Sequence, residues 1–107
     1  SVVVIAEGTC MVNLLKRISR FYFAENCGQC TPCREGTGWL YRILDRITEG
    51  NGKESDLKLL VDVANRIEGN TICAFGDASA WPVQSFIVHY YEEFEYMIKH
   101  KGKTKAA

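Results

Sequence analysis

The chain has 107 residues, enough for one domain and too few for two full catalytic ones. Its 13 basic and 13 acidic residues cancel to a formal net charge of zero, which argues against a general nucleic-acid-binding surface. No apolar run approaches the roughly 20 residues that cross a bilayer, and Ser1 to Ile5 has neither the basic start nor the length of a secretion signal, so no direct membrane insertion is expected.

In chain order, Ser1-Val-Val-Val-Ile5 is β-branched and too short to form a sheet by itself. It reads as the last strand of a preceding domain, so residues 1–8 are assigned to that domain, 9–102 to a helical domain and 103–107 to a tail. After Gly8 the apolar period becomes helical. Thr9 is placed to cap a first helix over residues 10–24, with Met11, Leu14, Leu15, Ile18 and Tyr22 on one face. Thr31-Pro32 supplies a cap and a first-turn proline for a second helix, which turns Trp39, Leu40, Ile43, Leu44 and Ile47 inward and stops at Gly50-Asn51-Gly52. Gly36 and Gly38 weaken its first turns, and their cost of about 1 kcal/mol each points to close approach by another backbone or a ligand.

Ser55 is the expected cap of a third helix whose Leu57, Leu60, Val61, Ala64 and Ile67 keep heptad spacing up to Gly69-Asn70. A loop then runs to Ser79. Pro82 opens the fourth helix, with Val83, Phe86, Ile87, Tyr90, Phe94, Met97 and Ile98 inside and Lys99, His100 and Lys101 at the cation-favouring end. The fold class is therefore all-α, a small four-helix bundle.

Five cysteines are the most informative feature, because the count is odd and three of them fall in Cys27-Gly-Gln-Cys30-Thr-Pro-Cys33. That crowding points to metal chemistry in a reducing compartment rather than to a disulfide scaffold. Cys73 stands alone in Thr71-Ile-Cys-Ala-Phe-Gly-Asp77. Three thiols at intervals of three residues curl around three corners of a cubane, and a distant fourth closes the last corner, as in a 4Fe-4S site. Cys33 falls in the first turn of the second helix, where free N–H groups and nearby Arg34 favour thiolate, and Gly28, Gly36 and Gly76 admit backbone amides to the sulfurs. Structural zinc on the same four cysteines is the main alternative, though zinc sites usually present two well-separated pairs, and a redox disulfide ranks below both.

The remaining candidates are ordinary. Cys10 reads as a buried free thiol, His89 as a packed or surface histidine and His100 as a terminal cation. Trp39, Trp81, Phe86, Tyr90 and Phe94 read as core. Asp45, Asp56, Asp62, Glu92 and Glu93 read as solvated faces.

Three blocks carry a resemblance: Glu25-Asn-Cys-Gly-Gln-Cys-Thr-Pro-Cys-Arg-Glu-Gly36, Glu68-Gly-Asn-Thr-Ile-Cys-Ala-Phe-Gly-Asp77 and Ala80-Trp-Pro-Val-Gln84. Together they make nearly the whole chain similar to the C-terminal region of the NADH- and FMN-binding flavoprotein subunit of respiratory complex I. Relatives in NAD-linked hydrogenases and formate dehydrogenases share the pattern. The resemblance implies a 4Fe-4S cluster held by Cys27, Cys30, Cys33 and Cys73 that accepts electrons from reduced FMN. It implies Ala74 and Phe75 as flavin contacts, although Phe75 departs from the leucine expected there. It also implies upstream ubiquitin-like and FMN/NADH-binding domains, so that this chain is not catalytic alone. The implied partners are other iron-sulfur subunits of a peripheral arm, on the cytoplasmic face of a bacterial inner membrane or the mitochondrial matrix side.

Overall fold

The computed structural model describes residues 2–103, which form four helices: α1 (Met11–Glu25), α2 (Thr31–Thr48), α3 (Ser55–Ile67) and α4 (Ala74–Lys99). No strand occurs among the described residues. Val2 to Ile5 finds no pairing partner and is largely exposed, so the expected strand is not formed within this chain. Ser1 and the tail beyond Lys103 lie outside the described residues.

Each helix buries one face. Val12 and Leu15 of α1, Leu40, Ile43, Leu44 and Ile47 of α2, Leu57, Leu60, Ala64 and Ile67 of α3, and Val83, Ile87, Phe94 and Met97 of α4 form one continuous core. Fully burying each large apolar side chain contributes about 1.5–3 kcal/mol, so the bundle is held mainly by these stripes. α1 and α3 each pack on both α2 and α4, and α2 also touches α4.

The direction of α2 and α4 matters most for the site. At their C-terminal ends, a Cβ added to Gly50 would come within 2.7 Å of the Lys101 carbonyl oxygen. At their N-terminal ends, Cys30, Cys33, Cys73 and Gly76 line one cavity. The two helices therefore run side by side in the same sense. Gly50, at φ +90°, makes the turn that ends α2, and the Asn51 N–H closes it on the Arg46 carbonyl at 2.9 Å.

Several local expectations are corrected. Residue Thr9 caps no helix; Cys10 holds the N-cap position of α1 without a side-chain hydrogen bond, and Thr9 Oγ1 donates to the Ala6 carbonyl at 2.7 Å. Cys10 is only half-buried. Ser55 lies inside α3, whose N-cap is Glu54. Trp39 is 52% exposed, because Gly36, Leu40, Ile43 and Ile47 already fill the inner stripe at helical spacing. Trp81 and Tyr90 are also exposed, whereas Phe94 is core as expected. Asp56 is not solvated but buried. Its carboxylate pairs with Arg46 Nη2 at 2.6 Å and accepts the Lys53 N–H at 2.9 Å, fastening the start of α3 to α2.

The largest correction concerns α4, which begins at Ala74 rather than Pro82. Pro82 sits inside the helix, and a second irregularity at Tyr90, with φ −126° and ψ 29°, divides it into two segments. No helix among the described residues is long and apolar enough to cross a membrane.

Candidate metal centre

The early start of α4 gives Cys73 a defined place: it is the N-cap residue of α4, as Cys30 is of α2. Cys33 lies in the first turn of α2, and Cys27 in the connection before it. All four thiols line a cavity of about 160 Å³, together with Glu25, Gly28, Gln29, Thr71, Phe75 and Gly76. Two helix N-termini thus share one space, and their unpaired N–H groups and positive dipole ends favour a net-negative occupant.

Local contacts explain how the cysteines are delivered. Asn26 ends α1 by donating Nδ2 to the Phe23 carbonyl at 2.6 Å, which turns the chain outward toward Cys27. Gly28 then takes φ +82°, a conformation that a side chain would strain. Arg34 Nη1 donates to the Gly28 carbonyl at 2.9 Å and Nη2 to Thr31 Oγ1 at 3.3 Å. On the other side, Thr71 Oγ1 donates to the Cys73 carbonyl at 2.9 Å, and Asp77 accepts the Gly69 N–H at 2.8 Å. The two segments meet where the Ile72 N–H donates to Cys30 Sγ at 3.4 Å.

Gly36 and Gly38 serve packing rather than the cavity. A Cβ at Gly36 would fall 2.7 Å from Ile67 Cδ1, and one at Gly38 would fall 2.9 Å from Phe23 Cε1. Neighbouring side chains, not a backbone or ligand, demand these glycines. Gly76 does line the cavity, and Thr71 lies against it.

Cys33 is the buried member of the set, while Cys27 and Cys73 are exposed. Burial pushes the Cys33 thiol above its ordinary value, and the neighbouring Cys73, Cys27 and Cys30 add to the shift. Loss of solvent is thus the largest influence on this thiol in the metal-free chain. Phe75 is half-buried, with its ring 5.2 Å from that of Tyr22 in an edge-to-face contact, and Ala74 is exposed.

A metal group can be tested against this geometry. Among the described residues, no three His, Cys, Asp or Glu side chains stand close enough to hold a single metal ion. The thiols instead ring a cavity far larger than one ion or one water needs. A polyatomic group would fit that space, with the four thiols as its holders, and the N–H···S bond at Cys30 is of the kind that accompanies iron-sulfur ligation. A larger groove of about 710 Å³ between α1 and α4 is lined by Leu14, Ile18, Phe21 and Phe86 and contains no thiol.

The fold and site define a small helical domain presenting four thiols at paired helix N-termini. The family described as the NADH-ubiquinone oxidoreductase-F iron-sulfur binding region matches residues 13–97, and the chain belongs to that family. It is 48% identical over 101 residues to an NADH-quinone oxidoreductase subunit of Rickettsia typhi, covering 94% of this chain and 24% of that protein. It is 52% identical over 99 residues to the mitochondrial NADH dehydrogenase [ubiquinone] flavoprotein 1 of Dictyostelium discoideum, covering 92% and 21% respectively. A crystal structure of NAD+-reducing [NiFe]-hydrogenase in the H2-reduced state matches 84% of this chain and 16% of that one, with a TM-score of 0.80 and 29% identity. The chain thus spans about a quarter or less of the proteins it matches.

Sequence spacing singled out the same four cysteines that the fold brings together. It missed the Ile72 N–H, which has no side-chain signature, and it read Arg34 only as a nearby charge. The Arg34 contact had one legible signal, a glycine six residues earlier in a tight cysteine loop.

Proposed function

We propose that this chain is the electron-relay module of an NADH:quinone oxidoreductase, with Cys27, Cys30, Cys33 and Cys73 holding a 4Fe-4S cluster reduced by FMN bound upstream in the parent subunit. The observation that carries the reading is the cavity lined by all four thiols, from the loop before α2 and the starts of α2 and α4. When bound, such a cluster supplies reversible one-electron storage, which divides the electron pair of a hydride donor.

The chain's own residues would set the conditions for that storage. Converging helix ends offset the cluster's negative charge, the Ile72 N–H draws charge from Cys30, and Phe75 and Gly76 wall the cavity. Ala74, exposed beside Cys73, and Phe75 form the side offered to the flavin. The parent would contribute its ubiquitin-like and FMN/NADH-binding domains, and other iron-sulfur subunits would receive the electrons. Its place is peripheral, on the cytoplasmic face of a bacterial inner membrane or the matrix side of a mitochondrial one.

A zinc-stapled interaction domain is the alternative; structural zinc sites usually draw on two separated cysteine pairs, a pattern that a triplet plus one distant cysteine fits poorly. The test is metal and sulfide analysis of the parent subunit purified without oxygen. About four iron and four acid-labile sulfide per subunit, with an electron paramagnetic resonance (EPR) signal that appears on adding NADH, are expected. Stoichiometric zinc without sulfide would contradict the reading.

A further inference from the structure

We propose that Arg34 is the positioning residue of the cysteine loop, tying the Gly28 carbonyl to the first turn of α2 and so fixing Cys27 and Cys30 around the cavity. The inference rests on the cluster reading above.

The loop needs such a tie. Apart from the Arg34 fork, no hydrogen bond fastens the backbone of residues 27–29 among the described residues. Gly28, at φ +82°, has no side chain to restrict its backbone. Arg34 meets this peptide twice: Nη1 donates to its carbonyl at 2.9 Å, and the Cδ methylene runs 3.9 Å from where a Gly28 Cβ would stand. The guanidinium is itself oriented, because Nη2 donates to Thr31 Oγ1 at 3.3 Å and Nε to Glu35 Oε1 at 3.2 Å. Arg34 follows Cys33 directly, so one helical turn carries a thiol and the clamp on the turn that carries two more.

The rigid planar fork matters here more than the charge. Glu35 already pairs with Arg34 at an exposed position, where an ion pair adds little. A guanidinium directs separate donors to Gly28 and Thr31, whereas a lysine ammonium on a flexible stem cannot hold that geometry.

The test compares the parent subunit with R34Q and R34K, each loaded with iron and sulfide without oxygen. Release of iron to a strong iron(II) chelator is followed together with the EPR line shape of the reduced cluster, and flavin reduction by NADH is the folding control. Loss of a residue that orients metal ligands commonly costs 10- to 100-fold, so R34Q is expected to release iron about 10-fold faster with an altered line shape. R34K should fall between R34Q and the unaltered protein, and flavin reduction should be unchanged in both.

Wild-type release rates and spectra in both variants would overturn the proposal. So would R34K behaving as wild type while R34Q leaks, since charge would then replace the fork. If R34Q does not fold, R34K decides alone, and wild-type release there rejects the assignment. An unaltered subunit that holds zinc would instead defeat the cluster reading, and the same comparison of zinc release would then decide Arg34.

Discussion

The backbone N–H of Ile72 lies 3.4 Å from Sγ of Cys30, joining the segment that delivers Cys73 to the residue that starts α2. A donor at sulfur stabilises added negative charge, so it raises the potential at which a bound cluster is reduced. Ile72→Pro removes the N–H and should shift the midpoint potential in the negative direction. Ile72→Ala keeps the N–H and should leave it alone. Redox titration followed by EPR separates the two, and equal potentials in all three proteins would deny the bond a tuning role.

The buried thiol of Cys33 should behave differently from its neighbours in the metal-free protein. Iodoacetamide should modify exposed Cys27 and Cys73 first and Cys33 last, as read by peptide mass spectrometry. Because the folded state holds the Cys33 proton to higher pH than the unfolded state does, the associated stability is complete below its ordinary value of 9.0 and is lost as pH rises beyond it. The denaturation midpoint should therefore fall as pH rises above 9.0, and Cys33→Ser should flatten that decline.

Asp56 joins α3 to α2 and to the loop between them without touching the cavity, through Arg46 of α2 and the Lys53 N–H. Asp56→Asn should lower stability by roughly 1.5–3 kcal/mol, the range for hydrogen bonds to charged groups. The loss should stay below that for a fully buried pair because the Arg46 side chain is 43% exposed. Urea denaturation measures it, and iron content should not change.

Gly36→Ala should wedge α2 from α3, since the new methyl would meet both Ile67 Cδ1 and Cγ1 at 2.7 Å. Overpacking of this kind costs about 1–3 kcal/mol, against a gain of about 1 kcal/mol in helix propensity. A net loss of stability is expected, and Ile67→Val added to it should recover part. Thermal unfolding of the single and double variants checks the sign.

The periodic stripes of α1, α2 and α3 were legible because each keeps apolar residues at helical spacing between clear stop signals such as Gly50 and Gly69. α4 was misread at its start, since Pro82 looks like a first-turn residue and Gly76 like part of a loop. Tertiary packing overrides both signals. Ala80 and Val83 are fully buried, and the Ser79 hydroxyl donates to the Gly76 carbonyl at 2.7 Å inside the new helix. Asp56 was misread for a related reason: nothing local shows that Arg46, on another helix, will meet it. The four thiols were legible as a set from spacing, whereas the shared helix-end geometry of Cys30 and Cys73 depended on knowing where α4 begins.

If Cys73 is the fourth thiol of a cluster site, the iron count of Cys73→Ala in the parent subunit should fall. A cubane left with three thiolates exposes an iron that is easily lost. Mössbauer and chemical analysis should find a three-iron cluster or none in that variant, while Cys10→Ala keeps full iron. In the assembled complex, electron transfer to quinone should fall sharply, with NADH oxidation by acceptors that draw directly on the flavin largely retained. Normal iron stoichiometry and full quinone activity in Cys73→Ala would remove Cys73 from the site.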